Sequence, residues 1–277
     1  MKNSIWVTGA SGRIGSELIK RLKKNTDYRV VGTDLDVDIT DSASVEAAGD
    51  IYRPTVIINC CSFSASRCSE DNIVEAFKVN ALGARNLAKV SRKLNAKIIH
   101  LSTDDVFACP EVKRMTEYDT PNPISVYGKS KLAGEQYVRE LNPKHVIVRS
   151  SWVYGAGDNH FLAYVEDKAK KGESFEVPTY KISTPTSANT LADFILTLID
   201  SSEYGVFHAS CEGCCTRYEF AKEILSTIGA DTSLAVPVDG ETDSTLLENL
   251  MLKMTEIYEM PDWKDDLHNF IAENKGE

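Results

Sequence analysis

Residues 4–22 read SIWVTGASGRIGSELIKRL, and this stretch decides the fold. An apolar, β-prone run leads into a loop with the spacing G-x-x-G-x-x-G at Gly9, Gly12 and Gly15, after which apolar residues recur with helical spacing. Glycines permit a tight turn and a close approach of the backbone to a pyrophosphate, which the N–H groups and dipole of the helix N-terminus then bind. The order of strand, glycine loop and helix therefore predicts a dinucleotide-binding unit.

The type of dinucleotide depends on the acid that ends the second predicted strand. The run YRVVGTD ends at Asp34, nineteen residues after Gly15. An acid at this distance hydrogen-bonds a ribose 2′-hydroxyl and repels a 2′-phosphate, so NAD(H) is favoured. Arg13 could instead reach a 2′-phosphate, which keeps NADP(H) as an alternative. The loop residues predicted to bind the cofactor are Gly9, Ser11, Gly12, Arg13, Ile14 and Gly15.

Beyond the loop, short apolar strands alternate with helices. The runs TVIINCC, AKIIHLST and HVIVRSS are typical of buried strands, and the segments between them have helical spacing. This alternation predicts an α/β fold with a doubly wound parallel sheet of Rossmann type. After Gly155 the alternation degrades, and the strand-like run GVFHAS falls in this part. We expect residues 1–153 to be predominantly the NAD-binding domain and residues 154–277 predominantly a smaller substrate-binding lobe, with the two interleaved.

Composition restricts the partners of this chain of 277 residues. With 42% hydrophobic and 26% charged residues, it has the make-up of a globular protein. A net charge of −10 disfavours a general electrostatic contact with nucleic acid or an anionic membrane. The N-terminus enters a strand directly, and no run approaches the roughly 18 apolar residues of a membrane span, so a cytoplasmic protein is expected. Whether two chains form a homodimer is left open.

The cysteines are interpreted as reduced thiols. There are seven, an odd number without a regular framework. The run CEGCC contains one C-x-x-C, but a zinc site needs a second pair of ligands and His208 is the only nearby candidate. The sequence therefore predicts no metal.

A second motif places a tyrosine one helical turn before a lysine. In PNPISVYGKSKLAGE, Tyr127 and Lys131 lie four residues apart on a predicted helix, so their side chains share one face. Ser102 and Thr103 end the fourth predicted strand, at the carboxyl edge where ligands bind in open α/β sheets. The ammonium and a positive nicotinamide ring would lower the pKa of Tyr127, so that the phenol can exchange a proton with a substrate oxygen. The set predicts a proton-transfer site.

Three further polar residues have more than one interpretation. His100 lies in an apolar strand and is interpreted as a packed core residue rather than a ligand. Asp104 could orient the catalytic loop or cap the turn that follows the strand, and capping is preferred. Asn80 could pair backbone groups near the strand ends or lie exposed on its helix.

These motifs resemble those of the extended short-chain dehydrogenase/reductases, and more narrowly those of the dTDP-4-dehydrorhamnose reductase family. The likeness covers nearly the whole chain. TGASGRIG is similar to the opening loop of the family, STDDVF to its S-T-D-Y-V-F and PNPISVYGKSKLAGE to its P-x-x-x-Y-G-x-[ST]-K-x-x-G-E. The run VNALGARNLA is similar to its V-N-A-x-G-x-x-N-L, and VRSSWVYG, STPTSANTLAD and PDWKDDLHNF are similar to parts of its second lobe.

The resemblance implies a reductase that moves hydride from nicotinamide C4 to a nucleotide-activated 4-keto deoxysugar, as in dTDP-L-rhamnose biosynthesis. It implies Thr103, Tyr127 and Lys131 as catalytic residues, with Tyr127 supplying the proton and Lys131 holding the ribose and the tyrosine. The substrate residues it implies are Thr103, Asp105, Tyr127 and Trp152, the last facing the sugar. The cofactor residues it implies beyond the loop and Asp34 are Asp38 and Ile39 near the adenine, Cys60, Cys61 and Ser62 in the groove, Ser102 near the nicotinamide, and Tyr127 and Lys131.

Departures from the family pattern fall at the sugar end. Asp105 stands where the family usually has tyrosine, Tyr180 and Lys181 stand where it has Asp-Gln, and only Ser244 remains of its C-terminal R-P-x-x-S signature. Two other functions therefore stay open. One is a nucleotide-sugar epimerase or dehydratase of the same superfamily, which would retain and recycle NAD. The other is a non-catalytic dinucleotide-binding regulatory subunit, which would bind the cofactor without turnover.

Overall fold

The computed structural model describes residues 3–109, 111–157 and 160–274. The helices there are, in chain order, α1 (Arg13–Leu22), α2 (Ser42–Tyr52), α3 (Ile73–Phe77), α4 (Ala84–Lys93), α5 (Val126–Leu141), α6 (Phe161–Lys171), α7 (Ala188–Asp200), α8 (Arg217–Thr227), α9 (Leu250–Thr255) and α10 (Trp263–Asn274). Within these ranges none of the helices combines the length and apolar character that a membrane span requires.

The strands are short outside the central sheet. In chain order they are β1 (Asn3–Thr8), β2 (Tyr28–Thr33), β3 (Val56–Asn59), β4 (Lys97–Thr103), β5 (Arg114–Met115), β6 (His145–Ser150), β7 (Val153–Tyr154), β8 (Phe175–Pro178), β9 (Lys181–Ser183), β10 (Thr186–Ser187), β11 (Gly205–His208), β12 (Cys215–Thr216), β13 (Ala235–Val238), β14 (Asp243–Ser244) and β15 (Leu246–Leu247). The longer elements match the periodicity of the sequence, whereas the two-residue strands and α9 carry no periodic signal.

Six strands form the central sheet, in the order β11-β6-β4-β3-β1-β2. Strand β1 pairs in parallel with β2 on one side and β3 on the other, and β3 pairs in parallel with β4. The predicted doubly wound α/β fold is thereby confirmed. Because the strand order reverses between β1 and β3, the loops after these two strands border the crevice in which such sheets bind ligands.

Burial explains why the first strand is apolar throughout. Ile5, Trp6 and Val7 have no exposed surface, because helices cover both faces of a parallel sheet. The indole N–H of Trp6 donates to the hydroxyl of Thr33 at 2.9 Å, which satisfies the polar atom that this large side chain brings into the core. Leu18 on α1 is equally buried, so this face of α1 packs in the core. Helix α1 begins at Arg13, directly after the glycine loop that follows β1.

The apolar spacing of residues 70–95 predicts one long helix, but the helix is interrupted. Between α3 and α4 the backbone forms a π-helical turn, Lys78–Gly83. Gly83 makes this packing feasible, since a Cβ at that position would collide with the side chain of Ile39. Asn80 lies within the turn and is buried, 1% exposed. Such turns are rare and are often found at functional sites.

The chain divides into two compact units. Unit 1 comprises Met1–Phe107, Thr120–Arg149 and Ala192–Phe207, and unit 2 comprises Ala108–Asp119, Ser150–Leu191 and His208–Glu277. The run GVFHAS, placed with the smaller lobe by sequence, supplies β11, which lies beside β6 in the central sheet. Periodicity identifies a strand but not its hydrogen-bonding partner. The assignment of separate binding functions to residues 1–153 and 154–277 stays a prediction.

Unit 2 has its own core and small sheets. Its strands form the groups β10-β7, β12-β9-β14, β13-β8 and β15-β5. Aromatic residues of α8 and α10 dominate the core, including Phe220, Trp263 and Phe270. The carboxylate of Asp266 accepts hydrogen bonds from the hydroxyl of Tyr154 at 2.8 Å and from other donors, so this buried charge is well satisfied.

Candidate active site

The glycine loop after β1 forms a cradle made of backbone. Gly9 has φ +66°, a left-handed conformation that favours glycine. A Cβ at Gly15 would collide with the carbonyl oxygen of Gly9, so helix and loop approach each other more closely than any side chain allows. Gly12 is the N-cap of α1, with no side-chain cap and no acid in the first turn. This arrangement fits a dinucleotide pyrophosphate, because the first turn of the helix carries no acid that would repel it.

Asp34 lies beside this loop. Its carboxylate accepts a hydrogen bond from the backbone N–H of Ser11 at 2.9 Å and another from the Ser11 hydroxyl. Its own N–H donates to the carboxylate of Asp36 at 2.6 Å. Asp34, the predicted ribose-binding acid, is therefore held against the glycine loop by Ser11.

The two cysteines after β3 border the same loop. The N–H of Cys60 donates to the carbonyl of Thr8 at 3.1 Å, and the N–H of Cys61 donates to the side chain of Asn59 at 3.1 Å. A Cβ at Gly9 would lie 2.8 Å from the Cys61 nitrogen, so the glycine loop packs on the peptide between the cysteines. Burial raises the pKa of both thiols, which are therefore protonated at neutral pH.

Asp38 and Ile39 follow β2 and differ in accessibility. Asp38 is exposed, and its carboxylate accepts from the N–H and hydroxyl of Thr40, each at 2.8 Å. The side chain of Ile39 is buried in the core of unit 1, while its carbonyl accepts from the amide of Asn86 at 3.0 Å. That Asp38 and Ile39 contact the adenine stays a prediction. Because the side chain of Ile39 is buried, only its backbone could make such a contact.

Ser102 and Thr103 occupy the carboxyl end of β4. The Ser102 hydroxyl donates to the carboxylate of Glu135 at 2.5 Å. The Thr103 hydroxyl donates to Asp104 at 3.1 Å and accepts from the N–H of Asp105 at 3.2 Å. Thr103 thus caps the short turn that contains Asp104 and Asp105. The capping that sequence analysis assigned to Asp104 is therefore performed by Thr103.

Lys131 on α5 is buried beneath this strand end. Its ammonium donates to the carbonyl of Leu101 at 2.5 Å, and the side chain is 2% exposed. Burial lowers the pKa of Lys131 to about 8, against the opposing effect of Glu135 and the smaller effects of Cys61 and Cys60. These interactions place the ammonium near the cysteines that border the glycine loop.

Tyr127 lies one helical turn before Lys131 on α5, but its protonation differs from the sequence-based expectation. Burial raises the pKa of Tyr127 to about 12, and the charges of Asp105 and Asp104 raise it further. A hydrogen bond from Ser62 acts in the opposite direction. Sequence reasoning expected the lysine and a positive nicotinamide ring together to lower this pKa, whereas desolvation of the phenolate is the largest effect in the structure and acts in the opposite direction.

Asn80 joins the segment after β3 to α5, the helix that carries Tyr127 and Lys131. Its side-chain oxygen accepts from the N–H of Phe63 at 2.8 Å, and its amide donates to the Phe63 carbonyl at 3.0 Å. The amide also donates to the hydroxyl of Ser130 at 2.9 Å, and that hydroxyl donates to the carbonyl of Tyr127 at 2.8 Å. Of its two interpretations, the pairing of backbone groups is the one the structure confirms.

His100 is a core residue. It is 1% exposed, and its Nδ1 is hydrogen-bonded to the amide of Asn59 at 3.0 Å. Burial lowers its pKa well below the ordinary value, so the imidazole is neutral at pH 7.

Sequence reasoning missed the pair Glu135 and Arg149. Both side chains are almost fully buried, and the guanidinium donates twice to the carboxylate, at 2.9 and 2.7 Å. Glu135 follows Lys131 by four residues, which places the two on one face of α5. An acid at this spacing from a predicted catalytic lysine was the signal available in KSKLAGE.

Trp152 belongs to unit 2. Its φ of +40° is uncommon for a non-glycine residue. The indole stacks on Phe220 with ring centroids 6.5 Å apart, and the guanidinium carbon of Arg217 lies 3.4 Å from its ring centroid. The ring is therefore held rigidly, and its predicted contact with a sugar stays a prediction.

The remaining sequence departures also lie in unit 2, next to one another. Strand β9 pairs with β14, and the ammonium of Lys181 lies 3.6 Å from the carboxylate of Asp243. The ring of Tyr180 packs so closely on Gly240 that a Cβ there would lie 2.6 Å from it. Ser244 is buried and donates its N–H to the carbonyl of Cys109 at 3.2 Å. Tyr180, Lys181 and Ser244 thus form one local group.

Over residues 3–109, 111–157 and 160–274, no cluster of three or more His, Cys, Asp or Glu side chains could hold a metal ion. In the CEGCC run, Cys211 and Cys215 are buried and Cys214 is exposed. The Cys211 thiol donates to Asp266 at 3.4 Å.

Known proteins match this chain along its length. The family model described as the RmlD substrate binding domain matches residues 1–275. The dTDP-4-keto-6-deoxy-D-glucose reductase of Streptomyces niveus is 36% identical over 236 residues, which cover 85% of this chain and 82% of that protein.

Two solved structures are similar over almost every residue. The dTDP-4-dehydrorhamnose reductase of Bacillus anthracis strain Ames, in complex with NADP, has a TM-score of 0.94 at 34% identity and covers 99% of both chains. That of Clostridium acetobutylicum has a TM-score of 0.92 at 36% identity, covering 98% of this chain and 99% of the other. With the predicted fold, the glycine loop and the Tyr-Lys helix in place, the chain belongs to the dTDP-4-dehydrorhamnose reductase family of the extended short-chain dehydrogenase/reductases.

Proposed function

We propose that this protein is an NAD(P)H-dependent reductase of a nucleotide-activated 4-keto deoxysugar, resembling dTDP-4-dehydrorhamnose reductase. The observation that carries the proposal is the position of Lys131. Its buried ammonium is close enough to Cys60 and Cys61 to interact with them, and these cysteines pack on the glycine loop. This proximity supports a single site in which the dinucleotide cradle lies beside the lysine-tyrosine pair.

The cofactor would be held by backbone and by one acid. The N-terminus of α1 binds the pyrophosphate, and Gly9, Gly12 and Gly15 allow it to approach. Asp34 hydrogen-bonds the ribose hydroxyl, which favours NAD(H). A 2′-phosphate would have to lie beside this carboxylate, so NADP(H) binding would depend on Arg13. Bound there, the reduced nicotinamide supplies a hydride to a carbonyl carbon.

The proton for the new hydroxyl would come from Tyr127. A phenol with a pKa of about 12 is protonated at neutral pH, which suits a group that must donate during reduction of a ketone. The hydroxyl of Ser62 donates to the phenol oxygen and stabilises the phenolate that remains. Lys131 contributes positive charge to the same crevice, and Thr103 lies at the strand end where the substrate oxygen is expected.

The test is a direct assay. Purified protein is incubated with dTDP-4-dehydrorhamnose, or with related nucleotide-activated 4-keto sugars, and either NADH or NADPH. The expected result is substrate-dependent oxidation of the nicotinamide, with a higher kcat/KM for NADH. Tyr127→Phe, assayed in parallel, reports the background rate.

Two results would contradict the proposal. Turnover without net oxidation, together with NAD retained through purification, would indicate an epimerase or dehydratase. Dinucleotide binding without turnover across the sugar panel would indicate a regulatory subunit. We retain the cytoplasm as the predicted location, and a homodimer stays an open prediction for sedimentation measurements.

A further inference from the structure

A buried carboxylate on α5 follows the proposed catalytic lysine by one helical turn and contacts the end of β4. Glu135 has no exposed surface, and each of its oxygens accepts a hydrogen bond from the guanidinium of Arg149, at 2.9 and 2.7 Å. One oxygen also accepts from the hydroxyl of Ser102 at 2.5 Å. A bidentate pair of this kind fixes both position and orientation, since neither partner can rotate without losing a hydrogen bond.

This geometry determines what Ser102 can offer to a ligand. Its hydroxyl hydrogen is committed to Glu135, so only the lone pairs of the oxygen remain. Ser102 is therefore an acceptor at the crevice, and it is the carboxylate of Glu135 that makes it one.

The same carboxylate determines the charge balance around Lys131. The ionisable groups that interact with the ammonium are Glu135 on the same helix, Cys60 and Cys61 after β3, and His100 on β4. The thiols and the imidazole are neutral at pH 7, as argued above. Glu135 is consequently the group of this set that carries a negative charge, and Arg149 partly neutralises it.

We propose that Glu135 is a positioning residue for the reaction, which fixes the Ser102 hydroxyl as an acceptor and, balanced by Arg149, sets the charge beside Lys131 on the same face of α5. The inference deepens the proposed function, on which it rests. Loss of the acid removes the negative charge that favours the ammonium and leaves the guanidinium charge of Arg149 unbalanced, so the ammonium is disfavoured. Loss of the guanidinium leaves the acid free to pair with Lys131, which favours the ammonium.

The experiment measures Lys131 directly, without substrate or dinucleotide. The ε-carbon resonance of Lys131 is titrated by NMR in protein labelled with ¹³C-lysine, and it is identified by its absence from Lys131→Met. We expect Glu135→Gln to move the midpoint to lower pH by about one unit and Arg149→Met to move it to higher pH by a similar amount. In active protein, the alkaline limb of kcat/KM should move in the same two directions.

Matched variants separate this role from a general loss of stability. Asp266→Asn removes another buried carboxylate that binds several donors, in unit 2, and should leave the Lys131 midpoint unchanged. If Arg149→Met does not fold, the double variant E135Q/R149M replaces the pair by neutral groups, and its midpoint should lie above that of Glu135→Gln.

The outcomes also distinguish the two proposals. Opposite shifts in a protein that reduces no keto-sugar would overturn the reductase but leave the role of Glu135 in place. A Lys131 midpoint that is the same in Glu135→Gln and in the wild type, or shifts of equal sign in both single variants, would overturn the role of Glu135 even if the reductase is active.

Discussion

Asn80 satisfies both backbone polar groups of Phe63, accepting from its N–H at 2.8 Å and donating to its carbonyl at 3.0 Å. The clamp joins a buried π-helical turn to the loop that carries Ser62, the hydrogen-bond partner of Tyr127. A third bond, to Ser130, reaches the helix that carries Tyr127 itself. The side-chain amide of Asn80 thus holds both the loop that carries Ser62 and the helix that carries Tyr127.

Asn80→Ala should therefore lower kcat more than it weakens cofactor binding. The change leaves the backbone groups of Phe63 without their partner and frees Ser62 to move relative to Tyr127. The expected loss of stability is about 2 kcal/mol, since buried hydrogen-bonding groups are left unsatisfied. Asn86→Ala is the matched control, because Asn86 binds the carbonyls of Ile39 and Thr40. It should raise the Kd of the dinucleotide instead, and an equal kcat loss in both variants would contradict the role of the clamp.

Tyr127→Phe should lower kcat by about 10² to 10⁴-fold, the range typical of a lost general acid. Dinucleotide binding, measured by fluorescence titration, should change much less than kcat, because the substitution keeps the ring and leaves the glycine loop and Asp34 intact. Tyr137→Phe alters a tyrosine on the same helix that packs near Arg85 and should retain activity. A Tyr127→Phe enzyme with wild-type kcat would show that another group donates the proton.

Asp34→Ser should change the preference between the two cofactors. Removal of the carboxylate relieves repulsion of a 2′-phosphate and deletes a partner of the 2′-hydroxyl. We expect the ratio of kcat/KM for NADPH to that for NADH to rise by about tenfold or more, equivalent to ~1.4 kcal/mol. Asp36→Ser, which removes the neighbouring carboxylate, should leave the ratio near its wild-type value. The prediction fails if both variants shift the ratio equally.

Lys131→Met should have an effect on stability that depends on pH. The folded pKa of Lys131, about 8, lies below the ordinary 10.5, so between these values the unfolded chain binds more protons and the wild type gains stability as pH rises. The variant lacks this gain. The difference in the free energy of unfolding should change by about 2 to 3 kcal/mol in favour of the wild type between pH 7 and pH 10. Urea titrations of both proteins measure it, and a difference independent of pH would exclude the burial effect.

Local motifs predicted the parts of the site that depend on neighbouring residues. The glycine loop, Asp34 and the spacing of Tyr127 and Lys131 each follow from a few consecutive positions. What could not be predicted depends on packing between distant segments. Burial, rather than the adjacent lysine, determines the pKa of Tyr127.

The pairing of Glu135 with Arg149 is another feature that local patterns do not contain. It forms only when α5 packs against the central sheet, and no property of either residue alone indicates the partner. The placement of β11 in that sheet is of the same kind, because periodicity carries no information on strand order. Such features can be predicted only when the contacts between distant segments are known.

The position of β11 has a consequence for synthesis on the ribosome. Strand β6 ends at Ser150, whereas β11, its neighbour at the edge of the sheet, begins only at Gly205. While the intervening segment is translated, the nascent chain has an unpaired edge at β6, which is a template for pairing with other chains. A polypeptide truncated at residue 153 would keep that edge permanently, so we expect it to aggregate, whereas one that extends through β11 would have its sheet complete.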